Sequence, residues 1–213
     1  MDTGADHDAS SFTTATPMMI NTDGWLQQTS PDSNHVIPVQ HIASPNVNPR
    51  PEQTPVRLIV LHNISLPPAQ FGGGYIEQFF QNKLDANAHP YFQTIHELKV
   101  SAHLLILRTG EMIQFVSFND RAWHAGRSSY LGVPECNDYS VGIELEGTDD
   151  QPFTEAQYTA VIAAILSIQQ AYPHTRRHLA GHSDIAPGRK TDPGPYLDWQ
   201  RIRRALADYY AGA

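Results

Sequence analysis

The segment from Gly181 to Gly194, GHSDIAPGRKTDPG, carries an imidazole and a carboxylate ten positions apart, His182 and Asp192. The basic pair Arg189-Lys190 stands just ahead of the acid. Pro187, Gly188, Pro193 and Gly194 mark a shaped loop rather than a helix or a strand. Imidazole nitrogen and carboxylate oxygen are both ligands of first-row metals, and zinc is the commonest metal they share. A lysine beside a metal ligand is costly unless negative charge develops nearby, as it does on an oxyanion in a transition state. A charged surface loop has the same composition, so the segment must be weighed with others.

A second segment, RLIVLH at residues 57–62, adds a histidine. Leu58-Ile59-Val60-Leu61 is short, apolar and partly β-branched, the pattern of a buried strand. His62 falls at its carboxyl end, followed by Asn63, and sites in helix-covered sheets gather at the carboxyl ends of strands. His62 is therefore the candidate third ligand, although a lone histidine at a strand end is more often structural. Three ligands with an open fourth position make a catalytic site; four closed ligands make a structural one.

A third segment offers a proton acceptor. In CNDYSVGIELEG, residues 136–147, Tyr139, Val141, Ile143 and Leu145 alternate with Ser140, Gly142, Glu144 and Glu146. This period of two is that of a strand and puts Glu144 and Glu146 on one face. A carboxylate near an activated water takes its proton and passes it to a leaving amine. Alternation alone does not choose between the two glutamates, nor exclude two solvated acids on an edge strand.

The elements that must position these groups are legible in outline. A helix is expected over Glu77 to Lys83, after the glycine turn of FGGG. Leu104 to Leu107 and Glu111 to Val116 are expected as strands joined by a turn at Thr109-Gly110. Thr154 to Ala171 has helical spacing of Tyr158, Val161, Ile162, Ile165 and Leu166, a capping-box pair in Thr154 and Gln157, and a stop at Pro173. A last helix is expected from Asp198 to Tyr209 with Trp199, Ile202 and Leu206 inward, and Leu179-Ala180 leads into His182 as a short strand or loop. Residues 44–55, SPNVNPRPEQTP, have the prolines of an extended connector.

With 213 residues, 40% of them hydrophobic and 17% charged, the chain suits one globular domain with a sizeable core. Its formal net charge of −8 argues against a nucleic-acid partner and against an anionic membrane surface. A single cysteine, Cys136, excludes an internal disulfide framework and is expected to be a small buried residue. The opening MDTGADHDASSFTTATPMMI has acids where a secretory signal needs bases and lacks an apolar core, and no stretch approaches a membrane span. Residues 1–23 are expected to be a flexible extension and residues 24–213 the domain.

Six segments together resemble a known family. LHNISLPP (61–68), FGGGYIEQFF (71–80), SAHLLI (101–106), RAWHAG (121–126), CNDYSVGIELEGTD (136–149) and GHSDIAPGRKTDPGP (181–195) look like the N-acetylmuramoyl-L-alanine amidases of the AmpD type. The resemblance runs from about Gly24 to the C-terminus and extends to phage lysozyme-amidases and peptidoglycan-recognition proteins. It implies an α/β (α+β) single domain with a central mixed β-sheet flanked by helices. It implies His62, His182 and Asp192 as ligands of one zinc ion, Glu144 rather than Glu146 as acid and base, and Lys190 as the group that stabilises the transition state. Relatives in the wider group often have Cys where Asp192 stands here.

The implied reaction is zinc-dependent hydrolysis of the amide between the lactyl group of (1,6-anhydro-)N-acetylmuramic acid and L-alanine, in peptidoglycan recycling. The partner is a small muropeptide, the location the cytoplasm and the expected state a monomer. Asn63, Trp123, His124 and Arg189 are the candidate substrate contacts, with Lys99 an alternative to Arg189 for a peptide carboxylate. His103 is expected to be a hydrogen-bonded structural group. The alternatives are an envelope amidase acting on intact peptidoglycan and a non-catalytic muropeptide-binding module. The long 63–100 segment argues against the first, and the complete ligand set argues against the second.

Overall fold

A computed structural model of the chain describes residues 15–28 and 36–212. Six strands form one sheet: β1 (Val39–His41), β2 (Leu58–Ile64), β3 (Leu104–Ile106), β4 (Met112–Gln114), β5 (Ser140–Glu146) and β6 (Leu179–Gly181). Their spatial order is β1-β4-β3-β5-β2-β6. The β3–β4 pair is antiparallel and the other four pairings are parallel, so the sheet is mixed. The helices are α1 (Tyr75–Phe80), α2 (Glu155–Ala171), the single turn α3 (His182–Ile185) and α4 (Trp199–Ala211). This is the mixed sheet with flanking helices that the family resemblance implies.

β2 and β5 lie in the middle of the sheet and are apolar for that reason. On one face Ile59, Leu61, Val141, Ile143 and Leu145 pack with Val161, Ile165 and Ile168 of α2 and Ile202 of α4. On the other face Leu58 and Val60 meet Ala125, Cys136, Tyr139 and Ile185. Strand geometry sends successive side chains to opposite faces. His62 and Glu144 therefore follow Leu58 and Val60 onto the face away from α2.

α2 starts where its sequence says it should: Thr154 accepts from the Gln157 N–H, and the Gln157 side chain returns to the Thr154 N–H. The observed α1 begins and ends earlier than the expected Glu77 to Lys83; Gly74 at φ 71° turns the chain directly into Tyr75. Cys136 is buried, as expected for a small apolar group.

Residues 1–14 of the expected N-terminal extension lie outside the described residues. The remainder of it is docked. Met18 is 4% exposed within the α2 core, and its N–H donates to Ser167 Oγ at 2.7 Å. Ile20 bridges Leu26, whose N–H donates to Gln114 Oε1 at 2.8 Å. Packing thus begins upstream of Gly24, because Met18 fills a gap that a pattern of single apolar residues does not announce.

Candidate active site

Three parallel strands deliver the site. β2 and β5 run in register with His62 opposite Glu144, and Leu61 pairs with Gly181 at the end of β6. His182 is the next residue, the first of α3. The carboxyl ends of β2, β5 and β6 therefore bring His62, Glu144 and His182 to one edge of the sheet. Asp192 is carried back by the loop of residues 182–194. That loop is closed by the Ser183 N–H donating to the Asp192 carbonyl at 2.9 Å. Gly194, at φ 79°, seats the loop against Asp149: a Cβ there would lie 2.4 Å from Asp149 Cα.

The three candidate ligands converge. His62 Nδ1 lies 3.0 Å from His182 Nδ1 and 3.2 Å from Asp192 Oδ2, and His182 Nδ1 lies 3.1 Å from that same oxygen. Among the described residues this is the one such group of histidine and carboxylate atoms. Zinc bonds of about 2.0–2.1 Å arranged tetrahedrally separate their donor atoms by about 3.3 Å, close to this triangle.

The chemistry of the donors points the same way. His182 Nε2 lies 3.1 Å from the Ala125 carbonyl oxygen, which only accepts, so Nε2 carries the proton. That leaves His182 Nδ1 as the nitrogen that faces Asp192 Oδ2, so a metal ion bound there would take one imidazole nitrogen and one carboxylate oxygen from this pair. Burial pushes the pKa of His62 down to about 4, which keeps it neutral and able to ligate. The residues present fit a metal ion.

Glu144 adjoins this group. It is 8% exposed, its Oε1 is 4.0 Å from His62 Nδ1, and its Oε2 is buried without a hydrogen-bond partner among the described residues. Burial, then the nearby Asp192 charge, raises its pKa well above the usual carboxylate value, while Lys190 opposes this. A carboxyl whose affinity for a proton is raised in this way is a candidate for acid and base chemistry. Glu146, two residues on, is used differently. It is 3% exposed and accepts the Gly72 N–H at 2.6 Å and the Arg108 N–H at 3.0 Å. It ties the glycine-rich segment to the β3–β4 turn.

A cleft of about 510 Å³ opens over the site, lined by Asn63, Asp149, Arg189, Lys190 and Asp192 among others. Lys190 is exposed on its rim. Asn63 donates to Asp149 Oδ1 at 2.7 Å, a partner that sequence reasoning missed although TDD follows the IELEG motif directly. Arg189 lines the cleft, but its Nη2 donates to the carbonyls of Ala125 and Arg127 at 2.6 and 2.8 Å. Trp123 and His124 are not among the cleft's lining residues. The Trp123 Nε1–H donates to Asn48 Oδ1 at 2.6 Å, and His124 lies behind His62. Lys99 is exposed and likewise not among them.

His103 is structural, as expected. Its Nδ1 accepts the Gly142 N–H at 3.0 Å, and its Nε2 donates to the Asp120 carbonyl at 3.0 Å. Arg50, unremarked in the sequence, is half-buried beside it. Arg50 donates to the carbonyls of Asn137, Asp138, Phe118 and Ser140 at 3.2, 3.0, 3.1 and 2.9 Å. It holds together the loops that lead into β5. Nothing in the proline-rich 44–55 connector signals such a hub.

Fold and site together present a mixed sheet with a cluster of two histidines and a carboxylate that could hold a metal ion, and the comparisons name the class. Residues 52–195 match the N-acetylmuramoyl-L-alanine amidase family model, and the chain belongs to this family. It is 52% identical over 163 residues to the 1,6-anhydro-N-acetylmuramyl-L-alanine amidase AmpD of Haemophilus influenzae, covering 76% of this chain and 89% of that protein. The crystal structure of a selenomethionine AmpD derivative superposes with a TM-score of 0.82 at 47% identity, covering 88% of this chain and 99% of that one. AmpDh3 from Pseudomonas aeruginosa, solved in complex with anhydromuramic pentapeptide, matches at a TM-score of 0.55 and 30% identity, over 70% of this chain and 59% of its own.

Proposed function

We propose that this enzyme is the recycling amidase of its family. It hydrolyses the amide between the lactyl group of 1,6-anhydro-N-acetylmuramic acid and the L-alanine of the stem peptide. The observation that carries the proposal is the convergence of three donor atoms within 3.0–3.2 Å beside a buried glutamate with one unpartnered oxygen. The family membership and the AmpD relatives supply the bond that is cut.

His62, His182 and Asp192 would hold one zinc ion, which when bound acidifies water and polarises the scissile carbonyl. Glu144 accepts the proton of the attacking water and delivers it to the departing alanine amine. The raised affinity of Glu144 for a proton suits both halves of that cycle. Lys190, at the cleft rim, neutralises the oxyanion of the tetrahedral intermediate; a well-placed donor is worth about 3–4 kcal/mol there. Asn63 and Arg189, which line the cleft, face the muropeptide.

Residues 24–213 act as one catalytic domain, working as a monomer in the cytoplasm, as the AmpD resemblance implies. Among the described residues no helix is long and apolar enough to cross a membrane. Zinc analysis, combined with mass spectrometry of products from anhydro-muropeptide and from intact sacculi, tests the proposal. Zinc-dependent release of stem peptide from the anhydro-muropeptide is expected. Equal or faster release from sacculi would make the enzyme an envelope amidase, and binding without release would make it a recognition module.

A further inference from the structure

His124 lies directly behind His62. Its Nδ1 is 2.9 Å from His62 Nε2, and its Nε2 is 3.1 Å from Ser140 Oγ. All three residues are buried, His124 at 9% exposure. The backbone around it is fixed. The N–H groups of His124 and Ala125 both donate to Asn137 Oδ1, at 3.1 and 2.8 Å. The Ala125 carbonyl in turn accepts from His182 Nε2. One dipeptide thus touches the outward nitrogens of both histidines. β5 makes room for it: a Cβ on Gly142 would lie 2.4 Å from His124 Cγ. Ser140, Gly142 and Glu144 share one strand face. That face supplies in turn a hydrogen-bond partner for His124, space for its ring, and the acid of the site.

We infer that His124 is a positioning residue that holds His62 in the tautomer with Nδ1 free for a metal ion. A neutral imidazole has one N–H and one lone pair. With Ser140 Oγ accepting from His124 Nε2–H, His124 Nδ1 is an acceptor and takes the Nε2–H of His62. His62 Nδ1 then turns its lone pair toward His182 Nδ1 and Asp192 Oδ2. A serine hydroxyl also donates, so the reverse direction is available without a metal ion; what His124 supplies is a buried acceptor for the His62 Nε2–H, without which the ligating tautomer would leave that N–H unpaired. Ala125 does the same for His182 with a carbonyl that has only one polarity. Outer partners of this kind typically set metal affinity by about 10- to 100-fold.

The inference rests on His62, His182 and Asp192 being the metal donors, and the experiment separates the two. Zinc dissociation constants are measured by chelator competition for the wild type, His124→Asn and His124→Gln. The asparagine amide reaches the Nδ1 position and still accepts from His62. The glutamine amide reaches the Nε2 position and serves Ser140 instead. H124N is expected to keep most of the wild-type affinity, and H124Q to lose about 10- to 100-fold. Equal affinities for the two variants would overturn the role of the Nδ1 acceptor. Nitrogen NMR of the zinc-loaded wild type needs no variant: it is expected to show His62 protonated at Nε2 and ligated through Nδ1. Ligation through Nε2 overturns the inference, and a wild type that binds no zinc removes the donor set and the inference together.

Discussion

Replacing Glu144 by Gln removes the charge at nearly constant volume, and the structure sets the expected size of the effect on three readouts. Its Oε1 stands 4.0 Å from His62 Nδ1, against 3.0–3.2 Å among the converging donors, so Glu144 lies outside the donor set and E144Q is expected to retain zinc. Loss of the proton acceptor is expected to lower kcat by about 10²- to 10⁴-fold, or about 2.7–5.4 kcal/mol of transition-state stabilisation. Stability moves the other way. The amide leaves the unpartnered Oε2 position unpartnered, but it removes a buried charge, whose unmet desolvation costs about 1–3 kcal/mol. At about 2–4 °C per kcal/mol for a chain of this size, metal-free E144Q is expected to melt about 2–12 °C above metal-free wild type. The sign with pH follows from the raised pKa. The folded state favours the protonated carboxyl, so its contribution is present below the ordinary carboxylate pKa of about 4.3 and is lost as pH rises through the raised value. Glutamine undergoes no such loss, so the difference in Tm widens upward from that ordinary value. Product mass spectrometry, zinc analysis and calorimetry across that range measure all three. Near-normal turnover by zinc-loaded E144Q would refute the assignment of Glu144 as acid and base. A lower Tm would refute the account of its burial.

His182→Ala, like His62→Ala and Asp192→Ala, is expected to lose both zinc and activity, since each removes one of three protein ligands; full occupancy in these variants would rule out the donor set. Lys190→Met is expected to lower kcat more than it raises KM, because an oxyanion contact strengthens as charge develops; unchanged kcat at full zinc occupancy would remove Lys190 from the chemistry. Glu146→Ala removes the charged acceptor of the Gly72 and Arg108 N–H groups, each such bond being worth about 1.5–3 kcal/mol; a lowered Tm with turnover retained is expected, and an unchanged Tm would contradict the tie. Met18→Ala is expected to cost about 2–5 kcal/mol and to lower Tm accordingly, whereas a melting curve identical to wild type would show that the N-terminal segment does not pack.

The candidate site of this protein was largely legible in its sequence because it depends on residue types at short separations. RLIVLH declares a buried strand ending in a candidate ligand, and IELEG declares two acids on one strand face. GHSDIAPGRKTDPG declares a loop that returns a carboxylate next to a histidine. Thr154 and Gln157 announce the start of α2 for the same local reason. What only the tertiary structure decided depends on groups far apart in the chain. Strand alternation put Glu144 and Glu146 on equal terms; parallel pairing with β2 set Glu144 opposite His62, and left Glu146 to the backbone of Gly72 and Arg108. His124 carried the marks of a cleft residue, but the space above Gly142 draws its ring behind His62. Met18 and Arg50 have no periodic pattern around them, and their partners lie as far away as Ser167 and Ser140. A local pattern records which side a residue faces; which distant atom waits there is settled by the order and register of the strands.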